Sequence, residues 1–137
     1  MVSRDREKDD ASNIVNPQLF LMNVDGSERS QLLYNSFIDY SPRWSFDGEW
    51  IAFLRPETLS ENTDLNLLVV KKDGTREKKL DTSKMLAITP HCWRKNKAEI
   101  MYTTNEKGLD RIHILNVNNG NQQDISRKGW NFSEPSN

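Results

Sequence analysis

Residues 41–53, from Ser41 to Phe53, read SPRWSFDGEWIAF. A proline, a tryptophan and an Asp-Gly pair lead into an apolar run that starts at Trp50. Asp47-Gly48 marks a tight hairpin turn, because Asp and Gly tolerate the positive φ that such turns require. Trp44 on one arm and Ile51 and Phe53 on the other supply surface to bury. Pro42 is expected at the strand entrance, where its missing N–H costs no ladder bond. The stretch therefore predicts a structural hairpin rather than a catalytic loop.

The same pattern returns downstream. Thr89 to Tyr102 reads TPHCWRKNKAEIMY, so Pro90, Trp93, Ile100 and Tyr102 repeat Pro42, Trp44, Ile51 and Phe53, with the spacing kept from each Trp onward. A second element alternates with this one: QLFLMNVDG (Gln18 to Gly26), LNLLVVKKDG (Leu65 to Gly74) and RIHILNVNNG (Arg111 to Gly120). Gly26 and Gly74 lie 48 residues apart, Gly74 and Gly120 lie 46 apart, and the two Trp lie 49 apart. A period of roughly 40–50 residues is that of a propeller blade.

Local patterns agree. Short runs rich in Val, Ile, Leu and Phe, bounded by Gly, Asn, Asp and Pro, read as strands. No run keeps a helical period over the length a helix needs. Four antiparallel strands are expected in the central unit: Tyr40 to Ser45, Glu49 to Arg55, Leu65 to Lys71 and Glu77 to Asp81. WIAFL and LLVV are apolar on both faces, as in strands covered on both sides. The fold class is all-β: a partial β-propeller of four-stranded antiparallel blades, just under three in number. Residues 1–16 are read as the end of an incomplete blade and a polar loop. Residues 17–137 are the repeats, with one complete blade at about 40–81.

These residues resemble the TolB-type β-propeller family, whose blades carry Ser-Pro-x-Trp-Ser-Pro-Asp-Gly before an apolar strand. LFLMNVDGSERSQL is similar to the family's next two strands, and the likeness runs from Pro17 to Asn137. Phe46 stands where the family has Pro, and Lys95, Asn96 and Lys97 replace Pro-Asp-Gly in the second copy, where Asn96 can still adopt a left-handed conformation. FSEPSN resembles the first strand of a further blade, with Asn137 in place of the Trp. Propellers have roughly four to eight blades. Two copies closing one ring as a homodimer, or a chain that is part of a longer propeller, would each complete this one. The resemblance implies a non-catalytic scaffold for protein–protein interaction, often periplasmic. It also leaves open a propeller belonging to an enzyme, such as a prolyl-oligopeptidase-type serine peptidase or a polysaccharide lyase.

Composition bounds the partners. The formal net charge is −1, from 19 basic and 20 acidic residues, which gives no reason to expect nucleic acid or an anionic membrane. No apolar segment is long enough to insert in a membrane. The first residues lack the apolar stretch of a signal peptide. One cysteine, Cys92, forms no internal disulfide and indicates no compartment.

Chemistry-bearing residues are sparse. His91 and Cys92 are adjacent, so in a strand they point to opposite faces. His113 lies in an apolar run, as a half-buried or satisfied histidine does. No zinc spacing, Gly-x-Ser-x-Gly elbow or phosphate loop occurs. DREKDD (Asp5 to Asp10) lacks the ligand pattern of a calcium loop. Trp130 and Phe132 read as core residues. No catalytic residue, metal ligand or cofactor is expected.

Strand alternation places tight connections at one end of each blade and longer ones at the other. Function concentrates in loops on a rigid scaffold. A protein partner is therefore expected at the long-loop end, where the longest connection and its root carry Arg55, Glu57, Glu61 and Asp64.

Overall fold

A computed structural model describes residues 2–5, 17–58, 60, 63–82, 91–106 and 108–126. Among these residues there is no helix. Eleven strands form three antiparallel sheets. The first sheet is β1 (Val2–Asp5), β2 (Gln18–Leu21) and β3 (Ser30–Gln31). The second is β4 (Tyr40–Trp44), β5 (Trp50–Pro56), β6 (Leu65–Lys71) and β7 (Lys78–Lys79). The third is β8 (His91–Trp93), β9 (Glu99–Glu106), β10 (Leu109–Asn116) and β11 (Gln122–Asp124). Each sheet follows chain order. Of the strand expected over Glu77 to Asp81, Lys78–Lys79 form the strand and the Leu80 amide adds one further bond, to the Leu67 carbonyl at 2.9 Å.

The second sheet is covered on both faces, as its apolar runs require. Ile51, Phe53, Leu68 and Val70 pack toward the first sheet with Leu19, Leu32 and Leu33, and Trp44 lies half-buried against them. Ala52, Leu54, Leu67, Val69 and Leu80 pack toward the third sheet with Trp93, Ile100, Tyr102, Leu115 and Val117. Period-2 alternation along β5 and β6 thus builds two separate cores from one pair of strands. The first strands β4 and β8 pack closely, whereas the outer strands touch the next sheet only through side chains and turns, as where Lys78 Nζ donates to the Val117 carbonyl at 3.2 Å. Sheets that are close at one edge and apart at the other fan out like propeller blades. At the inner edge the Trp93 indole N–H donates to the Arg43 carbonyl at 3.1 Å, tying one blade to the next.

Two details of the opening hairpin differ from expectation. Pro42 lies inside β4 rather than at its entrance. The ladder slips between Tyr40 and Arg43, and Ser41 takes φ +51°. A bulge leaves an N–H unpaired, so proline fits there. In the turn only Gly48 has positive φ, +69°. Asp47 acts through its carboxylate, which accepts from Ser45 Oγ at 2.6 Å and from the Glu49 amide at 3.1 Å. In the second copy Asn96 is the left-handed residue, φ +57°, one place earlier than Gly48 in the repeat. Pro90, Trp130, Phe132 and most of DREKDD lie outside the described residues.

Candidate functional site

The two ends of the blades are built differently. At one end the turns share a device. Asp25 Oδ1 accepts from the amide (2.9 Å) and hydroxyl (2.6 Å) of Ser27. Asp73 does the same with Thr75, at the same two distances. Asn119 Oδ1 accepts from the Asn121 amide at 2.9 Å. Hydrogen bonds to the ionised form hold Asp25, Asp47 and Asp73 below the usual carboxylate range, the hydroxyl bond contributing most in each. The device also occurs at the opposite end, where Asp124 accepts from the Ser126 amide at 2.8 Å and the Ser126 hydroxyl holds its carboxyl below the usual range, so what separates the two ends is the length of their connections.

The opposite end carries the longer connections. Arg55, at the end of β5, turns inward instead of offering a free cation. Its side chain is 9% exposed. Nε and Nη2 donate to Asp39 at 2.7 and 3.1 Å, and Nη1 and Nη2 donate to Glu77 at 2.8 and 3.3 Å. The guanidinium also lies 4.5 Å from the Phe37 ring centre and 5.3 Å from that of Phe53. Asp39 is fully buried. Burial pushes its carboxyl up, and the hydrogen bond from Arg55 pulls it back. The other two described members of the sequence-derived set behave as surface groups. Glu57 and Asp64 are exposed and close their connection through a 2.9 Å bond from the Glu57 amide to the Asp64 carbonyl. Glu61 lies outside the described residues.

Sequence reasoning missed Asp39, Glu77 and Phe37, which meet at Arg55. Asp39 had a signal: a lone carboxylate between Ile38 and Tyr40 has to find a cation if it is buried. Glu77 gave none, because it meets Arg55 only through the tertiary fold.

His113 is half-buried, shares a 2.9 Å bond with Thr104 Oγ1 and stacks on Tyr102 with ring centres 5.2 Å apart. His91 is buried and Cys92 exposed, on opposite faces of β8. Among the described residues no three His, Cys, Asp or Glu side chains gather as a metal site would require. No helix there is long and apolar enough to cross a membrane.

Comparison with known proteins gives the architecture a precedent. TolB from Acinetobacter baumannii matches with a TM-score of 0.64 at 18% identity, over 83% of this chain and 27% of that one. A TolB-type structure from Agrobacterium tumefaciens matches at 0.61 and 15% identity, over 79% of this chain and 40% of that one. In sequence, dipeptidyl-peptidase 5 of Porphyromonas endodontalis is 33% identical over 95 residues, which is 69% of this chain and 13% of that protein. The chain thus spans under half the length of each. No family model matches it. Three sheets in blade order, with converging first strands and these superpositions, make the molecule an all-β partial propeller of TolB-type fold.

Proposed function

We propose that this chain is a non-catalytic propeller scaffold that binds another protein through its long-loop end. The observation that carries the reading is the contrast between the two ends. One end closes in short turns at Asp25-Gly26, Asp47-Gly48, Asp73-Gly74 and Asn119-Gly120. The other exposes longer connections on a base fixed by the Asp39–Arg55–Glu77 network. The TolB-type fold supports it, because the resemblance implies a protein-interaction role. Association of two copies to close a ring belongs to the same proposal.

The test is site-specific photo-crosslinking in lysate of the source cell. A crosslinker at Glu57 or Asp64 is expected to capture one discrete protein, and one at Asn119 is not. Equal capture from both ends would overturn the reading.

A second reading has its own support. The 33% identity over 95 residues to a dipeptidyl-peptidase lends some support to a propeller that belongs to a peptidase, without displacing the scaffold reading. A reading frame that runs on into Gly-x-Ser-x-Gly with downstream Asp and His would decide for it.

A further inference from the structure

The long-loop end holds two aromatic rings in the open. Tyr34 is 85% exposed and Phe37 is 53% exposed. A single exposed apolar residue is ordinary, but Phe37 is held unusually firmly. Its amide donates to Asn35 Oδ1 at 3.0 Å, and its carbonyl accepts from Gln18 Nε2 at 2.7 Å. One face of its ring meets the Arg55 guanidinium. Two residues on, the Asp39 amide donates to the Pro17 carbonyl at 3.1 Å, and its carboxylate grips the same guanidinium. A ring fixed in advance loses little freedom when a partner covers it, and such aromatics dominate interface energetics. Tyr34 lies three residues back in the same connection.

The neighbouring connection, 57–64, starts two residues beyond Arg55. Its described residues include the exposed acids Glu57 and Asp64 and no base. The cation at its root, Arg55, is already shared between Asp39 and Glu77. Arg55 links the two connections: its guanidinium lies against Phe37, and its strand runs on within two residues into the stretch that carries the exposed acids.

We propose that Tyr34 and Phe37, with the acids Glu57 and Asp64 of the connection that follows Arg55, dock a cationic peptide segment of a partner protein, one in which Arg or Lys alternates with aliphatic residues. This rests on the long-loop end being the interaction face. A partner cation stacks on the Tyr34 ring and pairs with the two carboxylates, while an aliphatic neighbour covers the free face of Phe37.

The test is an NMR titration of the isotope-labelled full chain with a short alternating arginine–leucine peptide. A glutamate–leucine peptide is the control, and both are run at low and high ionic strength. Amide shifts confined to 34–39 and 57–64, weakened by salt, are the expected result. Tyr34→Ser, or Glu57→Gln with Asp64→Asn, should each weaken binding about tenfold. These side chains are exposed, so an unchanged melting temperature separates lost binding from lost folding. If the acidic peptide shifts the same residues equally, the cation preference is overturned while the interaction-face reading stands. Shifts confined to the tight-turn end overturn both. No shifts at any residue overturn the docking proposal.

Discussion

Arg55 shows why a charged residue near a loop need not be a surface residue. Its neighbours Ile51 and Phe53 face the first core, and alternation carries Arg55 onto the same side. Removing one partner of a buried pair strands the other charge. Arg55→Met should therefore cost about 3–5 kcal/mol, read as a lower urea midpoint at an unchanged slope. Asp39→Leu added to Arg55→Met should recover much of that loss, because it removes the stranded carboxylate. No recovery would mean that the network stabilises as a unit with Glu77. Titration separates the two kinds of aspartate. Asp73 is held below its unfolded value, so its contribution is present above the ordinary carboxylate range and is lost as pH falls through the lower folded value. Asp39 is pushed up, so its term has the opposite sign: it is present at low pH and lost as pH rises through its folded value. Asp73→Asn keeps an acceptor in the turn but cannot ionise. Its melting temperature should fall less than wild type between neutral and acid pH, and identical profiles would sink the assignment.

Among the elements, the turns distinguish local strain from blade packing. Gly26 and Gly74 occupy equivalent turns with φ +86° and +80°. A Cβ at Gly26 would meet nothing within 4 Å, whereas at Gly74 it would lie 2.6 Å from the Leu32 carbonyl oxygen of the first sheet's core. Gly26→Ala should cost about 1–2 kcal/mol from its left-handed backbone alone. Gly74→Ala should cost measurably more, because the first and second sheets must also move apart. Paired urea melts check the difference, and equal losses would mean that the turn yields without disturbing the sheets.

For the whole molecule, the informative surface is the outward face of the third sheet. Met101, Ile112, Ile114 and Ile125 hold the positions that Ala52, Leu67, Val69 and Leu80 hold in the second sheet. Leu80 is 3% exposed, inside a core, whereas Ile125 is 41% exposed. An apolar face of this kind favours association. The proposed ring-closing dimer is expected to give a light-scattering mass above the monomer that falls on dilution. Ile114→Lys should give a monomer at every concentration. A wild-type monomer at all concentrations would overturn closure by a second copy.

The repeat was legible because it is written in covalent spacing. The Trp, the turn residues and the doubly apolar strands recur at nearly fixed intervals, and period-2 alternation turns them into stacked sheets with no further information. Pro42 was legible as a strand residue, but not as the occupant of a bulge, because a bulge is a slip against the partner strand. The candidate site was barely legible. Arg55, Glu57 and Asp64 looked alike as charges in one connection, and only the packed structure separated an inward guanidinium from outward carboxylates. The partners of Arg55 lie 16 and 22 residues away along the chain, and composition does not encode which charges meet. Alone, the sequence determined the blades, their order and their turns, because those depend on local backbone preference and the alternation of side chains. The tertiary structure alone decided which charges are buried and which rings are held open, because both depend on how the first sheet packs against the second.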